Sequence, residues 1–364
     1  MMFRYFIVSG LLFLLVSCNK ENVSTVPEPS GPTPLVWKQP AHFPEPVYDL
    51  SSNSLTEEGV ELGRFLFYDG RLSRTNNIGC GTCHQQPSAF THHGHELSHG
   101  VDDLLGTRNS PAVQNVAWQS VFFWDGGVHG LDFVPLNPIG SEVEMDETIP
   151  NIIAKLNKTA TEKDRTKPNY PLLFKRAFGT EEINTERIMK SLSQFMLTMI
   201  SAGSRYDYYK MGDNNALTEQ EKRGMSTFKT HCGGCHSGEL FTDFSFRNNG
   251  LVPMKINDKG LGEITGNERD HYRFKVPSLR NVGITAPYMH DGRYHTLSEV
   301  MDHYTNNIRQ LPNLDSTFMQ PGGKTGLQIS AAEKQDIIAF LHTLSDDDFR
   351  RNQKLADPGI GNAL

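Results

Sequence analysis

The sequence predicts a mainly α chain in which two related helical domains follow one another. Three observations predict it. Several stretches read as helices, one behind a capping box and with apolar residues one turn apart. Long apolar–polar alternation, the mark of half-buried strands, is scarce, while 32 Gly and 20 Pro punctuate the loops. A helix-then-motif segment also occurs twice, each copy ending in Cys-x-x-Cys-His.

The chain begins with a lipoprotein signal peptide over residues 1–17. After Arg4 an apolar run continues through Ile7, Leu11, Leu12, Phe13, Leu14, Leu15 and Val16. It is shorter than the ~20 residues of a membrane span and has the layout of a secretory signal. Leu15-Val16-Ser17-Cys18 resembles a bacterial lipobox, which implies cleavage before Cys18 and lipidation of its thiol and amine. A plain signal peptide with an incidental Cys is the weaker reading. Residues 18–53 follow as a Pro-rich tether, with Pro27, Pro29, Pro32, Pro34, Pro40, Pro44 and Pro46, and little core of its own.

The N-terminal domain spans residues 54–205. Leu55-Thr56-Glu57-Glu58 leads through Gly63 and Phe65 to Cys80-Gly81-Thr82-Cys83-His84. The C-terminal domain spans 206–345. Leu217-Thr218-Glu219-Gln220 leads through Gly224 and Phe228 to Cys232-Gly233-Gly234-Cys235-His236. Thr218 with Glu221 reads as a capping box, and Met225 and Phe228 lie one turn apart, as on a buried face. Each motif thus closes a short helix. Further helices are expected over Thr185–Ser201 and Ala331–Leu344, the latter striped by Ile337, Ile338, Phe340 and Leu341. Residues 346–364 form a C-terminal tail.

Cys-x-x-Cys-His is the attachment signature of a c-type haem. Two thiols add to the vinyl groups and the adjacent imidazole takes the iron. A zinc ribbon needs its second Cys pair ~15–20 residues on, and here that pair lies in the other half of the chain. A redox disulfide does not call for the His. Two covalently bound haem c groups, on Cys80, Cys83 and His84 and on Cys232, Cys235 and His236, therefore make this a pair of cytochrome c-like haem domains engaged in redox chemistry. Of five cysteines only Cys18 is left over, so no thiol remains for a structural disulfide. Export fits as well, since such haems are attached outside the bacterial inner membrane. The net charge of −7 is mild and gives no hint of nucleic acid.

Several further segments resemble the bacterial dihaem cytochrome c peroxidase family, which includes the MauG enzymes. They are Leu62-Gly63-Arg64-Phe65-Leu66-Phe67-Tyr68-Asp69, Arg108-Asn109-Ser110-Pro111, Phe123-Trp124-Asp125-Gly126, Glu144-Met145, Phe274-Lys275-Val276-Pro277-Ser278-Leu279-Arg280-Asn281 and Pro287-Tyr288-Met289-His290-Asp291-Gly292. With the two motifs, the match runs from about Leu55 to Leu344.

The resemblance implies a peroxide-binding haem on His84 and an electron-receiving haem on His236. It places Trp124 between the haems as an electron relay, although an ordinary core aromatic is the commoner fate of a Trp. Glu144 corresponds to the distal carboxylate that moves peroxide protons. Heterolysis of O–O needs a proton taken from the near oxygen to the far one. Glu142 next door reads as a solvated surface acid. Asn109, Thr285 and Pro287 match positions that hold Ca²⁺, a hard cation suited to carbonyl and amide oxygens.

The chain departs from the family in three places. The His that blocks the peroxidatic iron in some members aligns with Val101, after Ser98-His99-Gly100; His92, His93, His95 and His99 are nearby substitutes. An open peroxidatic haem is the favoured reading. The distal ligand of the second haem, a Met in family peroxidases, aligns with Tyr304, as in MauG; Met289, Met301 and His303 are alternatives. A Gln found beside the catalytic Glu in some members aligns with Val134. The resulting expectation is a periplasmic peroxidase, lipid-anchored to a membrane through Cys18. It would reduce hydrogen peroxide with electrons from a small c-type cytochrome or copper protein (a cupredoxin). The alternatives are a MauG-like enzyme that oxidises a partner protein and a non-enzymatic dihaem electron carrier. The assembly stays open, with a homodimer among the options.

Overall fold

Helices dominate, and the only sheets among the described residues are two antiparallel pairs, Val121–Phe122 with Val128–His129 and Phe246–Arg247 with Phe274–Lys275. The computed structural model describes residues 31–162, 167–254 and 256–360. The signal peptide, Cys18 and the first part of the tether lie outside the described residues. Among the described residues no helix is long and apolar enough to cross a membrane.

The duplicated segment folds the same way twice. Thr56 caps the Glu57–Tyr68 helix, its hydroxyl accepting from Gly59 N at 3.0 Å. Thr218 caps Glu219–His231 with the expected box: Thr218 Oγ1 accepts from Glu221 N, and the Glu221 carboxylate accepts from Thr218 N at 2.8 Å. Each helix crosses a later one, Thr185–Leu197 or Ala331–His342, and each crossing is made at a glycine. A Cβ on Gly63 would lie 1.9 Å from Ser191 O; a Cβ on Gly224 would lie 1.9 Å from Asp336 O. One turn on, Phe67 meets Phe195 at 5.4 Å between ring centroids, and Phe228 meets Phe340 at 5.3 Å. The structural counterpart of Phe228 is therefore Phe67, not Phe65, because the four-residue step from the glycine sets which face is buried.

The structure alters three other expectations. Only the second motif closes the preceding helix. In the first copy that helix ends at Tyr68, and Cys80–Cys83 makes a separate turn after an intervening loop. The later helices stop at Leu197 and His342, short of Ser201 and Leu344. In each, a threonine just past the end gives its hydroxyl to a last-turn carbonyl: Thr198 to Phe195 O and Thr343 to Phe340 O, both at 2.6 Å. Finally, the tether packs from Thr33 on. Trp37 donates to Leu197 O at 2.9 Å and packs at a tilt 5.4 Å from Trp118, and Phe43 is 5 % exposed. The prolines keep the strap extended, while the aromatics between them find apolar partners.

Two cores result. One draws on residues between Phe43 and Met199 and takes in Leu240, Phe349 and Leu355; the other lies between Tyr206 and Leu344. Phe349 and Leu355 belong to the expected tail, which is packed rather than free. Gln86 Nε2 donates to Asn352 O at 2.8 Å and Tyr68 Oη to Leu355 O at 2.7 Å.

Candidate functional site

Both motifs hold their histidine identically. His84 Nδ1 pairs with Phe90 O and His236 Nδ1 with Phe241 O, each at 3.0 Å. That bond places the proton on Nδ1 and leaves Nε2 with the lone pair a metal needs. Both residues whose carbonyls accept this bond sit in the left-handed region, Phe90 at φ 62° and Phe241 at φ 54°. Such strain costs of order 1–3 kcal/mol and collects at functional sites. All four motif cysteines are free, and burial pushes the thiols of Cys80, Cys83 and Cys232 up to about 12. Both motifs open on one cavity of about 640 Å³, and its wall is mostly apolar. Paired thiols, an imidazole with its second nitrogen satisfied and an apolar cavity fit a c-type haem at each motif. Among the described residues no three His, Cys, Asp or Glu side chains are arranged to hold a bare metal ion.

On the His84 side the cavity wall includes Glu144. Burial raises its pKa, with Ser141 opposing in part. Glu142 is exposed, as expected of a surface acid. The loop carrying Val101 locks onto the Glu144 backbone. Val101 N donates to Glu144 O at 2.7 Å, and a Cβ on Gly100 would lie 2.4 Å from the same oxygen. Val101 is 1 % exposed. Of the four nearby histidines only His99 lines the cavity, and its Nδ1 faces Asp103 at 2.9 Å. His93 and His95 are exposed. His92 is not on a solvated face, as a His-rich loop suggests. It is buried and stacks 4.3 Å from His95.

Trp124 lines the same cavity. Its indole donates to Asn109 O at 2.9 Å, and its own carbonyl accepts from Lys275 N at 2.8 Å. Arg108 braces the turn by pairing with Asp125 and, at 2.7 and 2.8 Å, with Asp258. The Lys275 ammonium bonds Gln119 Oε1 and Val121 O, and burial pushes it down to about 8. Asn109, Thr285 and Pro287 all border the cavity. The Asn109 amide nitrogen donates to His95 O and Glu96 O, both at 3.1 Å, which leaves Oδ1 as the atom available to a cation. Val134 also lines this wall.

On the His236 side Tyr304 lies in a π-helical turn, His303–Asn307, behind the Leu297–Asp302 helix. Such turns are rare and gather at functional sites. Burial pushes the Tyr304 phenol up to about 12. Met289 and Met301 border the same cavity. His303 drops out as a ligand, since Tyr294 Oη meets Nδ1 at 3.3 Å and Asn249 O meets Nε2 at 3.0 Å. Sequence reasoning assigned no role to Asn249 or Lys275. Asn249 lies in an Asn-Asn-Gly stretch that reads as a plain turn, and Lys275 reads as a surface lysine until its burial is known.

The description "di-haem cytochrome c peroxidase" belongs to a family model that matches residues 57–215. The methylamine utilization protein MauG of Methylorubrum extorquens is 34% identical over 343 residues, covering 93% of this chain and 92% of the relative. The cytochrome c551 peroxidase of Nitrosomonas europaea is 32% identical, covering 83% and 85%. A crystal structure of a MauG-like protein associated with microbial copper homeostasis superposes with a TM-score of 0.76 at 31% identity, covering 89% of this chain and 99% of that one.

Proposed function

The chain belongs to the di-haem cytochrome c peroxidase family, and we propose that it reduces hydrogen peroxide to water at the His84 haem. The observation that carries this is the wall of the cavity beside His84, where a half-buried glutamate lines the site and no histidine replaces Val101. When bound, the two haems supply a peroxide-binding iron and an electron-receiving iron. The chain's residues do the rest. His84, oriented by Phe90 O, would hold the iron through Nε2. Glu144 accepts a proton from the near oxygen of peroxide and returns it to the far one, which leaves as water. Its raised pKa makes it a better proton acceptor than an ordinary glutamate. Trp124 relays electrons from the His236 side. Two electrons and two protons convert one peroxide into two waters.

The electrons come, in this reading, from a small c-type cytochrome or copper protein. Asn109 Oδ1 with Thr285 and Pro287 holds Ca²⁺ at the wall beside Trp124. Cys18 carries the lipid that keeps the protein at a membrane in the periplasm. The two cores correspond to two haem domains. A MauG-like activity toward a partner protein is the second reading, favoured by Tyr304 standing where family peroxidases have a Met. The electron carrier is the weakest, because a carrier has no use for an acid lining the cavity beside an open iron.

EPR of the resting holoprotein, followed by peroxide turnover with ferrocytochrome c, tests the proposal. A high-spin haem and steady consumption of peroxide are expected. Two low-spin haems and no turnover would remove the peroxidase reading. A high-spin haem that reacts with peroxide yet oxidises no donor cytochrome would move the weight to the partner-modifying reading.

A further inference from the structure

We propose that Asn249 is a positioning residue that decides which side chain the second iron takes: its amide nitrogen steadies Tyr304 and holds Met289 away. The proposal rests on the reading of His236 as the ligand of a second haem. Both candidate donors converge on one atom. Asn249 Nδ2 lies 3.4 Å from Tyr304 Oη and 3.7 Å from Met289 Sδ. A primary amide nitrogen carries two hydrogens, so one group can serve both acceptors. Turned the other way, the amide oxygen would face the sulfur lone pairs with no hydrogen between them.

Asn249 is itself clamped to the turn that carries Tyr304. Its carbonyl meets His303 Nε2 at 3.0 Å. The next residue, Gly250, sits at φ 72°, where a Cβ would lie 2.6 Å from the Ile308 side chain, and Arg309 N donates to Gly250 O at 3.1 Å. The segment 248–250 and the turn at 303–307 therefore move together. On the opposite side Met289 is held at φ 74°, a conformation unusual outside glycine. The structure thus sets two chemically different donors against one amide.

The choice between them has consequences. A phenolate oxygen is hard and anionic and favours Fe(III). A thioether is soft and neutral and favours Fe(II). The contact from Asn249 Nδ2 holds Met289 Sδ against the amide and competes with an iron for the sulfur. Removal of the amide frees the sulfur while loosening Tyr304, so ligation passes to Met289.

The test uses the holoprotein with both haems and reads the near-infrared Met–iron band and the reduction potential of the second haem. Wild type and M289L are expected to lack the band. N249L is expected to gain it, with a higher potential, and N249L/M289L to lose it again. If N249L does not fold, N249S, which is smaller and still polar, takes its place with the same expectation. Wild-type spectrum and potential in the Asn249 variant would overturn this proposal alone. A Met–iron band already present in wild type would overturn it together with Tyr304 as the ligand. Loss of haem from the unmodified protein would instead strike at the reading of the Cys232–His236 motif.

Discussion

Glu144 carries the sharpest residue-scale consequence. Its base form is needed to accept a proton, and burial raises its pKa. The base form is therefore lost as pH falls through that raised value, above the ordinary glutamate range of about 4.3. The acid limb of kcat/KM for peroxide is expected above that range. Glu144→Gln removes the base and is expected to lower turnover by 10²–10⁴, about the worth of a positioned proton-transfer group, and to abolish the limb. A limb that survives in the variant belongs to another group. Trp124 makes a different kind of claim. Trp124→Phe retains a ring but loses the indole N–H to Asn109 O and is much harder to oxidise. Stopped-flow spectra are expected to show normal peroxide binding at one haem, normal reduction of the other and slowed passage between them. A native inter-haem rate would leave Trp124 as packing.

At the scale of elements the duplication makes its own prediction. Gly63 and Gly224 let two helix pairs cross closely enough for Phe67 and Phe228 to stand between the crossing and the motif histidine, each 6.5 Å from the imidazole ring. Gly63→Ala and Gly224→Ala must push backbone carbonyls aside, since the added carbon would lie 1.9 Å from them. Overpacking of this kind costs about 1–3 kcal/mol. Urea unfolding is expected to show similar losses for the two variants, whereas Gly140→Ala, with open space around it, costs far less. Unequal losses at Gly63 and Gly224 would mean that one crossing can relax.

Across the whole molecule the strap, the second core and the junction between them meet at one ion pair. Arg280 and Asp207 are fully buried and joined by two bonds of 2.9 Å; Arg280 lies 4.4 Å from the centre of Phe43, and Asp207 also meets His42 at 2.8 Å. Burial pushes the Asp207 carboxyl up, but Arg280 and the bonds from Ser204 together more than offset this and hold it below the usual carboxylate range. A depressed folded pKa adds stability that is fully present above the unfolded value of about 3.9 and is lost as pH falls through the folded one. Arg280→Met strands the carboxylate and is expected to cost about 3–5 kcal/mol at neutral pH. Denaturant titrations should show the gap between variant and wild type narrowing in acid. A gap independent of pH would place the cost in lost packing alone.

What the sequence by itself determined was local and chemical. Cys-x-x-Cys-His states a cofactor because the thiols, the spacing and the imidazole all lie within five consecutive residues, and the cap of the second motif-leading helix is legible because Thr218 acts on the residue three positions on. Glu144, Trp124 and Tyr304 were nameable because the segments around them match a family. Only the tertiary structure decided which copies of a residue correspond, as Phe67 replacing Phe65 shows. It packed the described parts of the proline-rich tether and of the C-terminal tail, because Trp37, Phe43 and Phe349 find their partners far along the chain. It removed His303 from the ligand candidates and set Asn249 between Tyr304 and Met289. Such roles depend on which distant atoms come within hydrogen-bond reach, and that is settled by how the helices cross.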